Sequence, residues 1–228
     1  MKNLIITIDG PAGTGKSTVA RSLAQRLGYL YLDTGAMYRA VALKAIRQRM
    51  DLSNSRLLGA MAARTKVSFR VDPGRRLKVL LDGKDVTEPI RRHAVSEAAS
   101  VVAAVPKVRE VLVRQQRAIG ARGRVVAEGR DTGTVVFPRA PIKFFITAAP
   151  QERAKRRWQE LRQVGRPMSL KEVLLDTKRR DQRDRRRAVS PLRVAQGARR
   201  IDNTRLKPAQ VLDRMLSYVH QIQNGFIE

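Results

Sequence analysis

Residues Gly10-Pro11-Ala12-Gly13-Thr14-Gly15-Lys16-Ser17, with Thr18 following, decide how this chain is read. They fit G-x-x-x-x-G-K-[ST], in which glycines let the backbone turn tightly and point successive N–H groups at an anion. The run before them, Leu4 to Ile8, is short, apolar and rich in β-branched residues, which predicts a buried parallel strand. The run after them, from about Lys16 to Leu27, has helical spacing and stops at Gly28. Strand, glycine loop and helix in that order set the positive end of the helix against whatever the loop encloses. The expected ligand is ATP with Mg2+: Gly10 to Thr18 cradle the phosphates, Lys16 reaches the β and γ groups, and the Ser17 hydroxyl is placed to bind the metal.

Strand and helix patterns alternate outward from this point. Tyr29 to Leu32, Arg124 to Ala127 and Lys143 to Ile146 read as further strands, with a short one near Ala198 to Ile201. Helical spacing covers about Met37 to Met50, Arg92 to Ala104, Pro106 to Ile119, Pro150 to Val164, Leu170 to Ala188 and Lys207 to Gln223. Such alternation predicts an α/β fold with a parallel sheet covered by helices on both faces. Lys66 to Val71 and Leu77 to Leu81 flank Asp72-Pro73-Gly74, a hairpin signal that interrupts the rhythm. About Asn54 to Glu88 is therefore expected to be an inserted lobe.

Composition narrows the function. Of 228 residues, 43% are hydrophobic, enough for a sizeable core. The absence of cysteine excludes disulfides and thiolate metal sites and makes the cytoplasm the expected compartment. The amino terminus is too short an apolar run for a signal peptide, and no stretch of about 18 apolar residues is present to span a membrane. Lys and Arg number 47 against 20 Asp and Glu, a net charge of +27, which suits polyanionic partners. Aromatic residues are only 4%, so base-stacking platforms are scarce, and weak non-specific binding is the most that nucleic acid should show. The plainer account of the excess is a soluble basic surface, since arginine is spread along the whole chain.

Charged residues at particular places extend the phosphate-loop reading. Glu128 ends an apolar strand, where a carboxylate could hold water on Mg2+; an ordinary strand-end charge is the alternative. Val173, Thr177, Arg180, Asp184 and Arg187 share one helical face that begins apolar and turns charged. Alone, that pattern fits a solvated helix with local pairs such as Asp181–Arg185. Beside a phosphate loop, it fits better a cleft lined with arginines, whose planar groups match phosphate oxygens. Arg153, Arg156 and Arg157 lie on the preceding helix, with Arg153 and Arg157 on one face, and they either close over ATP as a lid or belong to a plain basic helix. His93 and His220 have no acidic or metal partner at suitable spacing, and no chemistry is assigned to them.

Several segments together resemble the bacterial cytidylate kinases, within the nucleoside monophosphate kinase group. They are Asp9-Gly10-Pro11 running into the loop, Asp33 to Arg39, Glu128 to Pro138, Arg180 to Leu192 and Ile201 to Thr204. The resemblance spans essentially the whole chain. It implies a single domain over 1–228, with a CMP-binding insertion at about 54–104 and a small lid at about 150–168. It implies ATP and CMP or dCMP as substrates, and a monomer is expected. Thr34, Arg39, Arg130 and Arg187 would contact the CMP phosphate; Ser100, Arg109 and Asp131 would read cytosine; Arg180 and Asp184 would hold the ribose. Lys16, Arg153 and Arg157 would carry the catalytic charge. Cytosine suits such a set, because an Asp accepts from the N4 amino group while Arg or Ser donates to N3 or O2.

Two departures from the usual pattern stand out. Thr132 sits where Met or Ile is usual, and Arg185 and Arg186 make their helix more basic, which leaves room for a second anion-binding role. Two other classes compete. A nucleic-acid-binding P-loop protein would use the charge differently, and an adenylate- or shikimate-type kinase would lack the cytosine-reading set. A GTPase is disfavoured because Asn-Lys-x-Asp does not occur.

Overall fold

Ile6, Thr7 and Ile8 are all fully buried, so both faces of the first strand, β1 (Ile5–Asp9), are covered. This is the environment that an unbroken apolar run requires. The computed structural model describes residues 3–72, 77–163, 165 and 168–225. Strands β2 (Leu30–Asp33), β6 (Val125–Gly129), β7 (Ile142–Thr147) and β8 (Arg199–Asp202) complete a five-stranded sheet in the order β2-β6-β1-β7-β8. The β1–β6, β1–β7 and β7–β8 pairings are parallel. The expected α/β core with a parallel sheet is therefore present. The chain leaves β1 for β2 on one side and later passes from β6 to β7 on the other side of β1, and the crevice at such a switch point is where open sheets bind ligands.

Helix α1 (Lys16–Leu27) buries Val19, Ala20, Leu23, Ala24 and Leu27, the apolar stripe that its spacing predicted. It packs on α8 (Pro208–Gln223), which buries Val211, Met215 and Val219 one turn apart. Tyr218 of α8 meets Phe144 of β7 edge-on, with ring centroids 5.7 Å apart. Helices α6 (Pro150–Gln163) and α7 (Leu170–Arg186) pack through Ala154, Leu161 and Val173, with Trp158 closing the end by donating to Met168 O. Ser169 and Glu172 form a reciprocal cap that starts α7.

The chain divides into two compact units, Met1–Leu32 with Gly120–Glu228, and Asp33–Ile119. The sheet and the helices just described lie in the first. The second unit contains α2 (Thr34–Arg47), α3 (Ser55–Ala63), α4 (His93–Val102) and most of α5 (Pro106–Gly120). It also holds an antiparallel sheet, β3 (Val67–Val71), β4 (Leu77–Leu81) and β5 (Lys84–Asp85). The predicted hairpin is thus formed, although Pro73 and Gly74 of its turn lie outside the described residues, as does Val164. Helix α3 and strand β5 were not expected from the sequence. Among the described residues, no helix is long and apolar enough to cross a membrane.

Candidate active site

The phosphate loop joins β1 to α1. Gly10 is obligatory because a Cβ there would lie 2.1 Å from Ile146 O on β7. Gly15 has φ 79°, a left-handed conformation at the entry to α1. Three loop carbonyls are held by side chains. Pro11 O accepts from Thr14 Oγ1 and Lys16 Nζ, Ala12 O from Arg153 Nη1, and Thr14 O from Asn203 Nδ2. Because a trans peptide turns its N–H opposite to its C=O, the amides of Ala12, Gly13 and Gly15 are directed to the other side, as an anion nest requires. Burial pushes the Lys16 ammonium down to about 7, assisted by the charges of Arg130 and Arg180 and opposed by Glu128 and Asp184. Ser17 is exposed in the first turn of α1.

Glu128 lies inside β6, in register with Ile8, and is buried rather than perched at a strand end. Its Oε1 accepts a 2.8 Å hydrogen bond from Tyr31 on β2. The Ser17 hydroxyl and the Glu128 carboxylate are hard oxygen donors, the chemistry that Mg2+ takes.

Asp9 ends β1 and organises the segment after β6. Its Oδ1 accepts from the N–H and the hydroxyl of Thr132, and its Oδ2 from the Gly133 N–H. These bonds anchor a wide turn, Thr132–Val136, which follows directly on Arg130 and Asp131. Burial pushes the Asp9 carboxyl up to about 6 against those hydrogen bonds, with the nearby Asp131 charge adding to the rise.

Helix α7 carries the charged stripe inward. Val173, Thr177, Asp181 and Asp184 are buried, and Arg180 and Arg187 are half-buried. Asp184 Oδ2 accepts a 2.8 Å bond from Arg130 Nε. Burial works against the Asp184 charge, yet Arg130 and Arg180 outweigh it and hold the carboxyl below its usual range. Arg130 is the mirror case: burial opposes its charge, and Asp184, Glu128 and Asp9 more than restore it. Arg187 lies 3.5 Å from Asp131 and donates through Nε to Ser190 O. The structure thus brings Arg130, Asp131, Arg180, Asp184 and Arg187 into one network in the first unit.

Asp181 corrects the sequence reading. It does not pair with Arg185 on the surface but receives both Nη1 and Nη2 of Arg153, at 3.0 and 2.6 Å. Arg153 is only 2% exposed and also donates to Ala148 O, so with its bond to Ala12 O it ties α6 and α7 to the loop. Arg157 pairs with Glu160 one turn on and keeps its side chain partly exposed. Arg156 donates to both the side-chain and main-chain oxygens of Asn203, whose amide holds Thr14 O. Asp9, Tyr31, Asp181 and Asn203 were all missed as site residues. Only Asp9 and Asn203 carried a signal, because both lie in segments that mark the family resemblance.

In the second unit, Asp33 caps α2 by accepting from Ala36 N, and Arg39 Nη2 donates to Asp33 Oδ2 at 2.9 Å. Gly35 leaves room for that guanidinium: a Cβ there would sit 3.1 Å from Arg39 Nη1. Thr34 is buried in the first turn of α2. Arg109 is 2% exposed, lies over the Tyr38 ring at 5.2 Å and donates to Ala103 O. Ser100 Oγ is buried, with no hydrogen-bond partner among the described residues. His93, expected to lack an acidic partner, lies 3.5 Å from Glu97 on the next turn.

The cytidylate kinase family model matches residues 6–221. A cytidylate kinase of Pelotomaculum thermopropionicum is 51% identical over 94% of this chain and 95% of that protein. One from Desulfitobacterium hafniense is 47% identical over 99% and 97%. An uncharacterised protein from Eubacterium ventriosum shares the fold at 15% identity, with a TM-score of 0.52 over 96% of this chain and 99% of that one. With a phosphate loop, an arginine–aspartate network and matches along nearly its whole length, the chain belongs to the cytidylate kinase family.

Proposed function

We propose that this chain transfers the γ-phosphoryl group of ATP to CMP, and to dCMP, giving CDP or dCDP. The observation that carries the reading is the Gly10–Ser17 loop, with three carbonyls each accepting a side-chain hydrogen bond and Lys16 buried against it, in a chain of this family. A coupled assay for ADP release tests it: turnover must depend on CMP.

Gly10 to Thr18 bind the ATP phosphates, and Lys16 carries charge to the β and γ groups. Ser17 directly and Glu128 through water would hold Mg2+, which would supply charge neutralisation for the transferring phosphoryl group. Tyr31 keeps the Glu128 carboxylate oriented. Arg157, tied only to a partly exposed partner, swings to the phosphates as the lid closes. Arg153 adds its positive charge from a fixed position, since Asp181 and Ala12 O already hold it in place.

CMP is bound through its phosphate by Thr34, Arg39, Arg130 and Arg187, through its ribose by Arg180 and Asp184, and through its base by Ser100, Arg109 and Asp131. The buried, unsatisfied Ser100 hydroxyl supports its part, because a buried donor without a partner costs about 1–3 kcal/mol that a ligand would relieve. No general base is needed, as the acceptor is a phosphate oxygen already mostly ionised at neutral pH. Catalysis is positioning and electrostatic stabilisation with water excluded.

We also propose one catalytic domain, with the CMP-binding insertion near 54–104 and the lid near 150–168, of which residues 164, 166 and 167 lie outside the described set. The protein works as a cytoplasmic monomer. Its charge of +27 gives weak, salt-sensitive, non-specific binding to nucleic acid.

A further inference from the structure

The arginines of the first unit fall into two groups. Arg130, Arg153 and Arg187 each face a carboxylate, on Asp184, Asp181 and Asp131. Among the described residues, Arg185, Arg193 and Arg200 form no ion pair, although Arg200 also borders a second cavity that Asp202 and Asp213 help to line. The three arginines come from the last turn of α7, the segment after it and edge strand β8, yet they line one cavity of about 330 Å3 with Pro11, Thr147 and Leu192. Among the described residues no carboxylate lines that cavity, and none of the three guanidinium groups has a hydrogen bond or ion pair.

Convergent like charges repel, so such a cluster is favoured only if something opposes it. Protection of the β8 edge by charge would account for Arg200 and its neighbour Arg199. It does not account for Arg185 and Arg193, which lie off the strand. A dispersed basic surface would not gather three forks around one concavity with an apolar wall. Apart from Pro11, no wall of the cavity belongs to the residues assigned to either nucleotide.

We infer that this cavity is a second anion site, taking an oligophosphate, either free or as the tail of a nucleotide. Three planar forks offer more donors than one carboxylate can accept, and phosphate oxygens match them bidentately. The volume lies at the small end of ligand cavities, which fits a compact anion rather than a track for a strand. Pro11 links it to the phosphate loop, because its carbonyl accepts from both Lys16 and Thr14. The inference is independent of which base the enzyme reads.

Calorimetry on the full chain tests it. Wild type is titrated with the Mg2+ complex of a non-hydrolysable ATP analogue, then with inorganic pyrophosphate. Two equivalents of analogue, falling to one in an R193A/R200A double variant, identify a nucleotide tail as the occupant. One equivalent of analogue, followed by one of pyrophosphate, identifies a free oligophosphate. In either case the second binding event weakens at least about tenfold in the double variant and also in R185A, and is unchanged in R199A. All four side chains are exposed, so these variants keep the fold. The inference is overturned by the absence of any anion binding beyond the first equivalent, or by a second event that survives in the double variant. Loss of single-stranded oligonucleotide binding alone in the double variant, without any oligophosphate binding, also overturns it.

Discussion

Asp9 and Thr132 are 123 residues apart in sequence, yet Asp9 Oδ1 receives both the backbone N–H and the hydroxyl of Thr132 at 2.9 Å. That contact fixes the segment bearing Arg130 and Asp131 to the strand that launches the phosphate loop. The carboxyl is held up at about 6, from an ordinary value of 3.8, so the folded protein binds its proton more tightly than the unfolded chain does. The stability it contributes is present at low pH and is lost as pH rises from about 4 through about 6. Arg130 and Asp131 are the charged groups facing it. Asp9→Asn cannot titrate. The stability difference between wild type and this variant should therefore change by an order of 2–3 kcal/mol across that window and flatten above it. Melting curves from pH 4 to 8 read this, and a difference that does not vary with pH removes Asp9 from the account.

Arg153 of α6 and Asp181 of α7 form a buried two-point ion pair. Asp181→Ala leaves a buried guanidinium unmatched and should destabilise the protein by about 3–5 kcal/mol. Arg157→Ala loses only a partly exposed pair and should cost less than about 1 kcal/mol. Urea denaturation compares them, and equal effects would mean that the Arg153 pair contributes no more than a surface one.

Lys16→Met should abolish phosphoryl transfer while the circular dichroism spectrum stays that of the wild type. Among the described residues the side chain donates only to the loop carbonyl Pro11 O, so the fold does not depend on it. Near-normal turnover in the folded variant would take the loop out of the mechanism.

Asp131→Ala separates base reading from arginine positioning. If Asp131 accepts from the cytosine N4 amino group, kcat/KM for CMP should fall about ten- to a hundredfold, while UMP, which presents a carbonyl there, loses little. If it serves only to hold Arg187, 3.5 Å away, both nucleotides suffer alike. An unchanged CMP/UMP ratio removes base reading and leaves the kinase reading standing.

Local signals made the core of this fold legible. The β1–loop–α1 unit was readable because strand, glycines and apolar stripe are adjacent in sequence. Helix α3 was not, since Gly59 sits in its middle and reads as a breaker. In the structure that glycine answers a packing demand, for a Cβ there would lie 2.9 Å from Lys107 Cβ. The turn at Thr132–Val136 has no local signal because its anchor is Asp9, on another strand. Among the arginines of α6, spacing alone could not show that Arg153 is buried, because its partner Asp181 lies on a different helix and pairs across space.

An acceptor panel tests the central claim most directly. Wild-type protein with Mg2+ and ATP is assayed for ADP release with CMP, dCMP, UMP, AMP and single-stranded RNA in turn. The account predicts acceptor-dependent turnover that is highest with CMP and dCMP, lower with UMP, and near background with AMP and RNA. Turnover only with RNA, or with AMP at a rate equal to CMP, would contradict it.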